Sequence, residues 1–544
     1  MNFIETIDEH IRYNRDRVLL YEMEGAREVA TTNATLLERI AKARGSLRAR
    51  GVTAGDRVVL LAPNSSDWAA ADLAILYEGA IVVPMYARQE PKELVEMMHD
   101  CTAKVIVCAD GALLGKVREA WGPESDPPVL TFAELFSGEA VEDKPVNREA
   151  SDPVTIIYTS GTSGVPKGVI LTVANVDFML PLTRRALARL MGERRDDDRV
   201  FHYLPFCFAG SRIALWTQLV RDNPIWMSTN LDNLKEEFLA AKPHYFLNVP
   251  TLLERIKNGV EDKLRNGNAA VFRLYEGGKE AYLRQIGGRA KKRDGLLLGL
   301  ARTVVFRKIR EGIGPNLRCL LCGSAPLGEE TQRWFEMMGI PVYQLYGLTE
   351  TTAIVTMDEP RQALPGRVGH AIDGVELRLS DEGELQVRGP NIFAGYWGRD
   401  EATADAFDGE WFRTGDAAEV DASGNWRIIG RTKNILVPSS GHNVAPEPIE
   451  QGLLESIPGA EHVVLFGHGR PYLTAVVSGT VEEAVVERRI EEFNETLPHY
   501  RRIRKHFVAA EPFTPENGLL TANQKLRRRA LEEHFAPDLD RLYS

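Results

Sequence analysis

The sequence predicts an α/β protein in which helix-covered, mostly parallel sheets precede antiparallel ribbons and a small α+β domain. Continuous Val/Ile/Leu runs alternate with segments of helical periodicity, which is typical of parallel sheets covered on both faces. Near residue 370 these runs give way to short alternating segments joined by Gly/Asp turns. The 544 residues also exceed the roughly 250–300 at which a single core stops growing. We therefore expect at least two domains.

The helix and strand signals of the first region follow one another regularly. "NATLLERIAKARGSLRARG" begins with Asn and Thr, has apolar residues at helical spacing and ends on Gly51. A strand ("DRVVLLAP"), a helix ("DWAAADLAILYEGA") and another strand ("AKVIVCAD") come next. The alternation recurs in "DPVTIIYTSG", in "PHYFLNVPTLLERI", where a strand enters a helix, and in "LRCLLCGSAPL".

The last third of the chain has a different character. "GVELRLSDEGELQVRGP" and "GNWRIIGRTKNILV" alternate apolar and polar residues around Gly/Asp turns, which predicts antiparallel ribbons. "APEPIEQGLLESIPGAEHVVLFGHGRPYLTAVV" then predicts a helix, a strand, a turn and a strand. We place a domain boundary near Lys433, which gives domains of residues 1–432 and 433–544.

The composition excludes several classes of protein. A net charge of −11 leaves no overall electrostatic footprint for nucleic acid. No run approaches the ~18 continuous apolar residues of a membrane-spanning helix. The charged start, "MNFIETIDEHIRYNRDRV", has no apolar core of a signal peptide. Five cysteines in a chain this long do not form a secreted disulfide framework, so we expect a cytoplasmic protein.

Cys319 and Cys322 form a C-x-x-C pair inside "LRCLLCGSAPL". The run around them is apolar, and no second pair stands at zinc spacing. This context favours a buried strand over a redox or metal site.

The stretch "YTSGTSGVPKG", Tyr158 to Gly168, has the composition of a phosphate cradle. Backbone N–H groups and hydroxyls can surround phosphate oxygens, and Lys167 adds a positive charge. A Walker A loop needs Ser or Thr directly after its lysine, whereas Gly168 follows Lys167 and Pro166 precedes it. A Walker loop is therefore excluded, and a surface Gly/Ser turn is the alternative to a cradle of another kind.

The loop resembles the YTSGTTGxPKG signature of the adenylate-forming superfamily, which contains acyl-CoA synthetases, nonribosomal adenylation domains and luciferases. Only Ser163 departs from that form, and it keeps a hydroxyl. Five further segments follow in the family's order and spacing, namely "GSAPL", "YGLTETT", "WFRTGD", "GRTKN" and "NGLLTANQKLRRR". The resemblance covers residues 15 to 530 approximately. It implies that the ribbons form a small β-barrel-like subdomain and that the C-terminal domain is a mobile lid carrying a catalytic lysine.

The resemblance implies an adenylation site that uses ATP and Mg²⁺. Joining a carboxylate to the α-phosphate of ATP brings two anions together, so positive charge and a metal must offset their repulsion. The implied metal ligands are Thr159 and Glu350, and Asp416 would accept the ribose hydroxyls. The implied catalytic residues are Lys167, Glu350, Arg431 and Lys525, although Lys525 read alone is typical of a solvated basic face. The implied ATP-binding residues are Thr159, Ser160, Gly161, Thr162, Ser163, Gly164, Lys167, Ser324, Ala325, Pro326, Tyr346, Gly347, Thr349, Asp416, Arg431 and Lys525.

Other segments indicate the acid and the acceptor. "ARTVVFRKIREGIGPNLRCLLCGSAPL" and "KPHYFLNVPTLLERI" resemble long-chain acyl-CoA synthetases, which predicts a medium- or long-chain fatty acid that is transferred to CoA. The resemblance also implies a hinge at Lys433 and a path for CoA along Gly441. The predicted acyl-pocket residues are Phe206, Phe208, Gly210, Gly323, Leu348 and Ala353.

Two alternative functions stay open at this stage. One is an acyl-AMP ligase that loads a carrier protein or another nucleophile; such relatives carry an insertion, and none is obvious before "GRTKN". The other is a non-catalytic adenylate-binding module, which would have no need of the intact Lys167, Glu350 and Lys525.

Two departures from the long-chain pattern stand out. Phe208 in "LPFCF" occupies the place of a histidine, and it is either an aromatic gate of the pocket or a core residue. The region from Glu261 to Asp294 is shorter than in the larger long-chain enzymes. Its basic run "RQIGGRAKKR", Arg284 to Arg293, is either a solvated helix end or loop or a contact with an anionic membrane.

Overall fold

The computed structural model describes residues 1–122, 128–159, 166–192, 198–514, 517–520 and 526–543. The chain divides into two compact units. The first comprises residues 1–376 and 388–410, and the second comprises residues 377–387 and 411–544. The ribbon that precedes Lys433 thus belongs to the same unit as the C-terminal residues, and the division at 432/433 stays a prediction.

The helices of the first unit cover both of its sheets. They are α1 (Phe3–Tyr13), α2 (Asn33–Ala49), α3 (Ser66–Tyr77), α4 (Pro91–Asp100), α5 (Gly111–Trp121), α6 (Phe132–Leu135), α7 (Val173–Met191), α8 (Ala209–Val220), α9 (Leu234–Ala241), α10 (Pro250–Arg265), α11 (Ala269–Ile286), α12 (Asp294–Ala301), α13 (Arg307–Ile313), α14 (Glu329–Met337) and α15 (Asp400–Asp405).

One sheet of the first unit contains β3 (Arg57–Leu61), β4 (Ile81–Met85), β5 (Val105–Cys108), β6 (Val129–Thr131), β7 (Pro153–Thr159), β8 (Lys167–Thr172) and β18 (Gly395–Tyr396). The strand order is β18-β8-β7-β4-β3-β5-β6. The strands from β7 to β6 are parallel, whereas β7 and β8 form an antiparallel hairpin and β18 adds antiparallel to β8.

The other sheet contains β1 (Val18–Glu24), β2 (Arg27–Thr32), β9 (Val200–His202), β10 (Ile225–Ser228), β11 (Tyr245–Asn248), β12 (Leu320–Cys322), β13 (Val342–Tyr346), β14 (Thr356–Met357) and β15 (His370–Ala371). The order is β15-β14-β13-β12-β11-β9-β10-β1-β2. Its interior is parallel, and both ends are antiparallel.

The second unit begins with antiparallel ribbons. They consist of β16 (Glu376–Leu379), β17 (Glu384–Arg388), β20 (Trp411–Val420) and β21 (Trp426–Arg431), whereas β19 (Phe407–Asp408) belongs to the first unit. The rest of the unit consists of α16 (Glu447–Ser456), β22 (Ala460–Phe466), β23 (Leu473–Gly479), α17 (Glu483–Asn494), β24 (Ile503–Val508), α18 (Arg528–His534) and α19 (Ala536–Tyr543).

The predicted fold class is confirmed, since parallel interiors, antiparallel ribbons and a small α+β region follow one another in the expected order. The cysteine interpretation is confirmed as well. Cys319 and Cys322 are free and buried at β12, and burial raises the pKa of the Cys319 thiol to about 12. Among the helices that the structure describes, none has both the length and the apolar character needed to cross a bilayer.

Capping brings α7 against the segment that leads to β18. Thr172 accepts a hydrogen bond from the backbone N–H of Asn175, and the Asn175 carboxamide oxygen accepts one from the backbone N–H of Thr172. The Asn175 side chain also donates to the carbonyls of Pro390 and Ile392, both at 2.8 Å. The start of α7 therefore holds residues 390–392, which lie just before β18.

Candidate active site

The predicted phosphate loop joins β7 to β8. Thr159 and Lys167 are cross-strand neighbours at the loop end of this hairpin, and Tyr158 pairs with Gly168 one step further from the loop. A Cβ at position 168 would lie 2.7 Å from the Ile156 side chain, so the tight packing there needs glycine. The predicted residues between the strands, Ser160, Gly161, Thr162, Ser163 and Gly164, lie outside the described residues.

Tyr396 links the two charged residues predicted for this site. The Lys167 ammonium lies over the Tyr396 ring, 4.9 Å from its centroid. The Tyr396 hydroxyl donates a hydrogen bond of 3.0 Å to Oε1 of Glu350. One aromatic side chain therefore contacts both a cation and a carboxylate that stand far apart in the sequence.

Sequence reasoning missed Tyr396. The residue lies in "AGYWG" on the two-residue strand β18, which has too few residues to show a periodicity. It reaches the site because Tyr396 pairs with Val169 on β8. We find no local signal in the sequence that could have revealed it.

The Glu350 backbone is held in a single 3₁₀ turn, Thr349–Thr351. The backbone N–H of Leu348 donates to the Thr351 hydroxyl at 2.9 Å, and the Glu350 carbonyl accepts from the N–H of Phe393 at 2.9 Å. The buried Asn391 side chain donates to the carbonyl of Thr351. These bonds position the Glu350 carboxylate without using its own oxygens.

Gly347 allows the chain to fold back on itself after β13. The N–H of Ala353 donates to the carbonyl of Leu348, and the N–H of Val355 donates to that of Tyr346. A Cβ at position 347 would lie 2.1 Å from the carbonyl oxygen of Ala353. The predicted residues Tyr346, Gly347 and Leu348 therefore lie in one tight turn, and Tyr346 is half-buried at its start.

Three non-glycine residues in or directly after the segments "GSAPL" and "YGLTETT" have a positive φ. Ser324 has φ 71°, Thr352 has φ 52° and Ala353 has φ 82°. Side chains rarely adopt this left-handed region, and such strain clusters at functional sites. Ser324, Ala325 and Pro326 are exposed directly after β12.

The predicted acyl-pocket residues do not share one environment. Phe206 is buried in the core, with its ring 5.1 Å from Trp68 and stacked on His202. Burial lowers the pKa of His202 to about 4, so that side chain is neutral at physiological pH.

Phe208, the residue that replaces the usual histidine, is half-buried at the N-cap position before α8, and its ring lies 5.9 Å from the ring of Tyr86. Gly210 follows it on α8, with Leu247 4.0 Å from the position of a Cβ. Gly323 is buried against Leu345, to which a Cβ would come within 2.6 Å. The predicted wall therefore includes both core and accessible positions.

An open apolar groove lies between α7 and residues 354–373. Leu182, Ala186 and Ile354 are among the residues that line it, and Ile354 directly follows Ala353, a predicted acyl-pocket residue. Asp358 also lines the groove although the residue is only 2% exposed. Burial raises the pKa of the Asp358 carboxyl to about 7.

In the second unit, β20 and β21 bring Asp416 and Arg431 together. The two residues are cross-strand partners, and Nε of Arg431 lies 3.1 Å from Oδ1 of Asp416. The Arg431 guanidinium also donates to the Thr414 carbonyl at 2.9 Å. Asp416 is 5% exposed, so this buried carboxylate is oriented by a cation.

The remaining predicted residues of the second unit are dispersed. Lys433 is exposed in a 3₁₀ turn, and partial burial of its ammonium, followed by the charge of Arg431, lowers its pKa. Gly441 has φ 78° in an exposed turn whose N–H donates to the carbonyl of Pro438. Lys525 lies outside the described residues, and the roles of all three stay predictions.

The residues at the first unit's site suit Mg²⁺. Glu350 offers Oε2, which has no hydrogen-bond donor in the described part of the chain, and Thr159 offers a hydroxyl. No group of three or more His, Cys, Asp or Glu that could hold a metal occurs among the described residues. Mg²⁺ is usually bound by one or two carboxylates together with substrate phosphates, so a single carboxylate fits this ion.

Comparison with family models matches most of the chain. Residues 7–397 match the family described as AMP-binding enzyme, and residues 433–544 match the AMP-binding enzyme C-terminal domain.

Curated relatives match the chain over nearly its full length. The long-chain-fatty-acid–CoA ligase FadD15 of Mycobacterium bovis is 29% identical and is matched over 100% of this chain and 97% of its own. The long-chain-fatty-acid–[acyl-carrier-protein] ligase AEE15 of Arabidopsis thaliana is 26% identical, over 97% of this chain and 85% of its own. The adenylation domain of a carboxylate reductase from Mycobacterium chelonae has a similar fold, with a TM-score of 0.80 at 21% identity, over 100% of this chain and 91% of that domain.

Proposed function

The chain belongs to the AMP-binding enzyme family and is an acid–thiol ligase that activates a fatty acid through an acyl-adenylate, and we propose that its acid is of medium or long chain and its acceptor CoA. On this proposal, ATP and CoA are its substrates. The overall reaction consumes the acid, ATP and CoA and yields acyl-CoA, AMP and pyrophosphate. The acid's carboxylate attacks the α-phosphorus and pyrophosphate leaves; the CoA thiol then displaces AMP.

The observation that carries the proposal is the contact of Tyr396 with both Lys167 and Glu350. Attack of a carboxylate on a triphosphate needs positive charge where negative charge gathers. Lys167, at the end of the phosphate hairpin, supplies that charge and steadies the departing pyrophosphate. Its position over the Tyr396 ring keeps the ammonium close to the Glu350 carboxylate without a direct ion pair between them in the described residues.

Glu350 and Thr159 would hold Mg²⁺ at the phosphates. When bound, the metal neutralises phosphate charge and so eases the approach of the second anion. The Tyr396 hydroxyl uses one Glu350 oxygen, which orients the carboxylate and leaves Oε2 for the metal. The hydrogen bonds around the 3₁₀ turn keep this orientation before substrate arrives.

Asp416 would accept the two ribose hydroxyls of ATP. A carboxylate has lone pairs for both donors, and the ion pair with Arg431 holds this one in one orientation. Lys525 is assigned by resemblance to the adenylation step, where it would bridge the carboxylate and the α-phosphate. Lys433 as hinge and Gly441 on the CoA path belong to the same proposal.

A carrier-protein acceptor is the second candidate function. The name of the Arabidopsis relative specifies an acyl-carrier-protein ligase, and its identity of 26% is close to the 29% of the CoA ligase. The adenylation half-reaction is common to both candidates, so only the second step separates them.

A single assay tests the proposal. The protein is incubated with ATP, Mg²⁺ and acids of graded chain length, including an aromatic acid, with and without CoA, and pyrophosphate, AMP and thioester are measured. We expect pyrophosphate release with fatty acids and thioester only when CoA is present. Adenylate that forms but is never converted by CoA would favour the carrier protein, and no pyrophosphate with any acid would contradict the enzyme assignment.

The matched variants for this assay are Lys167→Ala and Lys104→Ala. Lys167 lies at the site, whereas Lys104 precedes β5 and is exposed on the surface of the same unit. Loss of pyrophosphate release in the first variant alone would connect the activity to the hairpin.

A further inference from the structure

A row of apolar side chains faces solvent on the helical run that begins with α12. Leu296 is 82% exposed, Leu300 is 53% exposed and Val304 is 40% exposed. These residues are four positions apart on a run that continues through a π-helical segment, Arg302–Phe306, into α13, so they lie along one face. A Cβ at Gly299 would meet nothing within 4 Å, which agrees with an open surface. We call Leu296, Leu300 and Val304 the apolar row.

The opposite face of this helical run packs against the rest of the first unit. Leu298, Ala301 and Val305 are buried, and Leu297 packs against Gly277 of α11, 3.2 Å from the position of a Cβ. The apolar row is therefore not a displaced piece of the core.

The end of α11 adds two apolar side chains to the tip of the same helical hairpin. Leu283 is 41% exposed and Ile286 is 44% exposed. Arg284 on α11 pairs with Asp294 at the start of α12, with 2.8 Å between Nη2 and Oδ1, and this ion pair links the two helices.

The tip of the hairpin is strongly basic. Residues 284–294, the end of α11 and the connection to α12, contain five Lys and Arg and one Asp, which gives a net charge of +4 in a chain whose total is −11. The one acid, Asp294, is buried and paired with Arg284. Four cations of the connection are exposed and form no ion pair with any residue that the structure describes: Arg289, Lys291, Lys292 and Arg293.

We propose that this basic apolar hairpin, residues 281–308, docks the protein on an anionic lipid bilayer. The unpaired cations would lie among lipid phosphates and carboxylates, while the apolar row and the α11 leucine and isoleucine enter the interface. Charge complementarity selects this partner, because a second copy of the chain would bring an equal positive charge to the same surface. The exposed Leu side chains are unexpected for a solvated helix end, and the four unpaired cations are unexpected for a core.

The test is co-sedimentation of the full chain with phosphatidylcholine vesicles and with vesicles of equal parts phosphatidylcholine and phosphatidylglycerol. We expect binding to the anionic vesicles that weakens as salt is added, because screening shortens the range of surface charges. Each basic residue near an anionic surface strengthens binding roughly fivefold, so Lys291→Glu combined with Lys292→Glu should weaken it at least tenfold. Leu296→Gln combined with Leu300→Gln should weaken it by a similar factor, because both side chains leave the interface.

Matched controls change the same residue types elsewhere. Lys116→Glu with Arg118→Glu on α5 alters the total charge equally, and Leu364→Gln alters another exposed apolar residue, 44% exposed. The charge control should weaken vesicle binding only as far as the change in total charge does so, and the Leu364 control should leave binding unchanged. The substituted positions are exposed, and thermal unfolding checks that each variant folds.

Several outcomes would overturn the proposal. They are equal binding to neutral and anionic vesicles, binding that both hairpin variants retain, and no binding to either vesicle. Light scattering that finds a dimer lost in the Leu296/Leu300 variant would make the surface a self-interface instead. The assay contains neither ATP nor acid, so its result is independent of the proposed reaction.

Discussion

At the scale of the residue, Tyr396 has the largest consequence for the site. Its ring and hydroxyl serve different neighbours, since the ring lies under Lys167 and the hydroxyl donates to Glu350. The two contacts can therefore be removed one at a time. Glu350 and Lys167 could be predicted from short motifs, whereas Tyr396 depends on how β18 pairs with β8.

Tyr396→Phe should slow adenylation about tenfold, because a hydrogen bond to a charged group contributes roughly 1.5–3 kcal/mol. The ring stays, so the position of Lys167 should change little. Pyrophosphate release at varied Mg²⁺ measures the effect, and the variant should need more Mg²⁺ for half-maximal rate. Tyr472→Phe is the control, since it removes a hydroxyl bonded to the Leu542 carbonyl in the second unit. An equal loss in both variants would contradict a specific role.

Asp358 predicts a pH dependence of stability. Its pKa is about 7 in the folded chain against 3.8 in the unfolded chain, because burial disfavours the carboxylate. The folded state therefore binds more protons than the unfolded state between these values, and stability falls as pH rises through that window. The slope reaches at most about 1.4 kcal/mol per pH unit.

Asp358→Asn removes this titration. Oδ2 accepts the backbone N–H of Gln344, which an Asn oxygen can replace. Denaturant unfolding at pH 4.5 and at pH 8, about the ends of the window, should show the variant gaining stability relative to wild type at the higher pH. An unchanged difference between the two chains at both values would refute the raised pKa.

At the scale of the element, turns decide where the charged groups lie. After β13 the chain folds back so tightly against Ala353 that position 347 has no room for a side chain. The glycine in "YGLTE" predicts a tight turn just before Glu350, but the close approach of Ala353 depends on the hydrogen bonds that the folded turn makes.

Gly347→Ala should destabilise the first unit by roughly 1–3 kcal/mol and reduce adenylation, because the methyl group forces the backbone at Ala353 and Ile354 to move. Thermal unfolding and pyrophosphate release measure the two effects. Gly259→Ala is the control on α10, where a Cβ meets nothing and alanine should stabilise by up to about 1 kcal/mol. Wild-type behaviour of the Gly347 variant would refute the close approach.

A substitution that fills the groove beside α7 tests whether this groove holds the acyl tail of the substrate. Ala186 lines the groove, so Ala186→Trp would fill part of it. Turnover of the longest accepted acid should fall at least several-fold while a shorter acid is still activated, because a single methylene in an apolar pocket corresponds to roughly 10–200-fold discrimination. Arg184→Trp, exposed on the same helix and outside the groove lining, is the control. Unchanged chain-length preference in both variants would exclude this groove as the site of the acyl tail.

At the scale of the whole molecule, the two units have separate cores. In the described residues, one core of the first unit includes Trp68 and Trp216, and one of the second includes Val444 and Val486. The proposed reaction assigns different steps to residues of different units. A variant in the second unit can therefore impair one step and spare the other.

Lys525→Ala should suppress adenylate formation at least a hundredfold, roughly the loss on removing one charge-stabilising group, and should leave thioester formation from supplied acyl-AMP largely intact. The two half-reactions are measured separately. Arg529→Ala, a change at an exposed basic residue nearby, should affect neither. An equal loss of both steps in the Lys525 variant would contradict the division of roles.

The sequence by itself determined the fold class, the order of elements and the identity of the charged residues. Local patterns suffice for these, because helical periodicity, apolar runs and short motifs are properties of neighbouring residues. The buried cysteines of β12 and the antiparallel ribbons were predicted for the same reason.

Only the tertiary structure decided how distant segments meet. Tyr396 between Lys167 and Glu350, the burial of Phe206 beside His202, and the exposure of Leu296 next to unpaired cations all depend on contacts between elements. The physical reason is that burial and side-chain contact arise from packing of residues far apart in the chain. A linear pattern gives each residue's chemistry but not its neighbours in space.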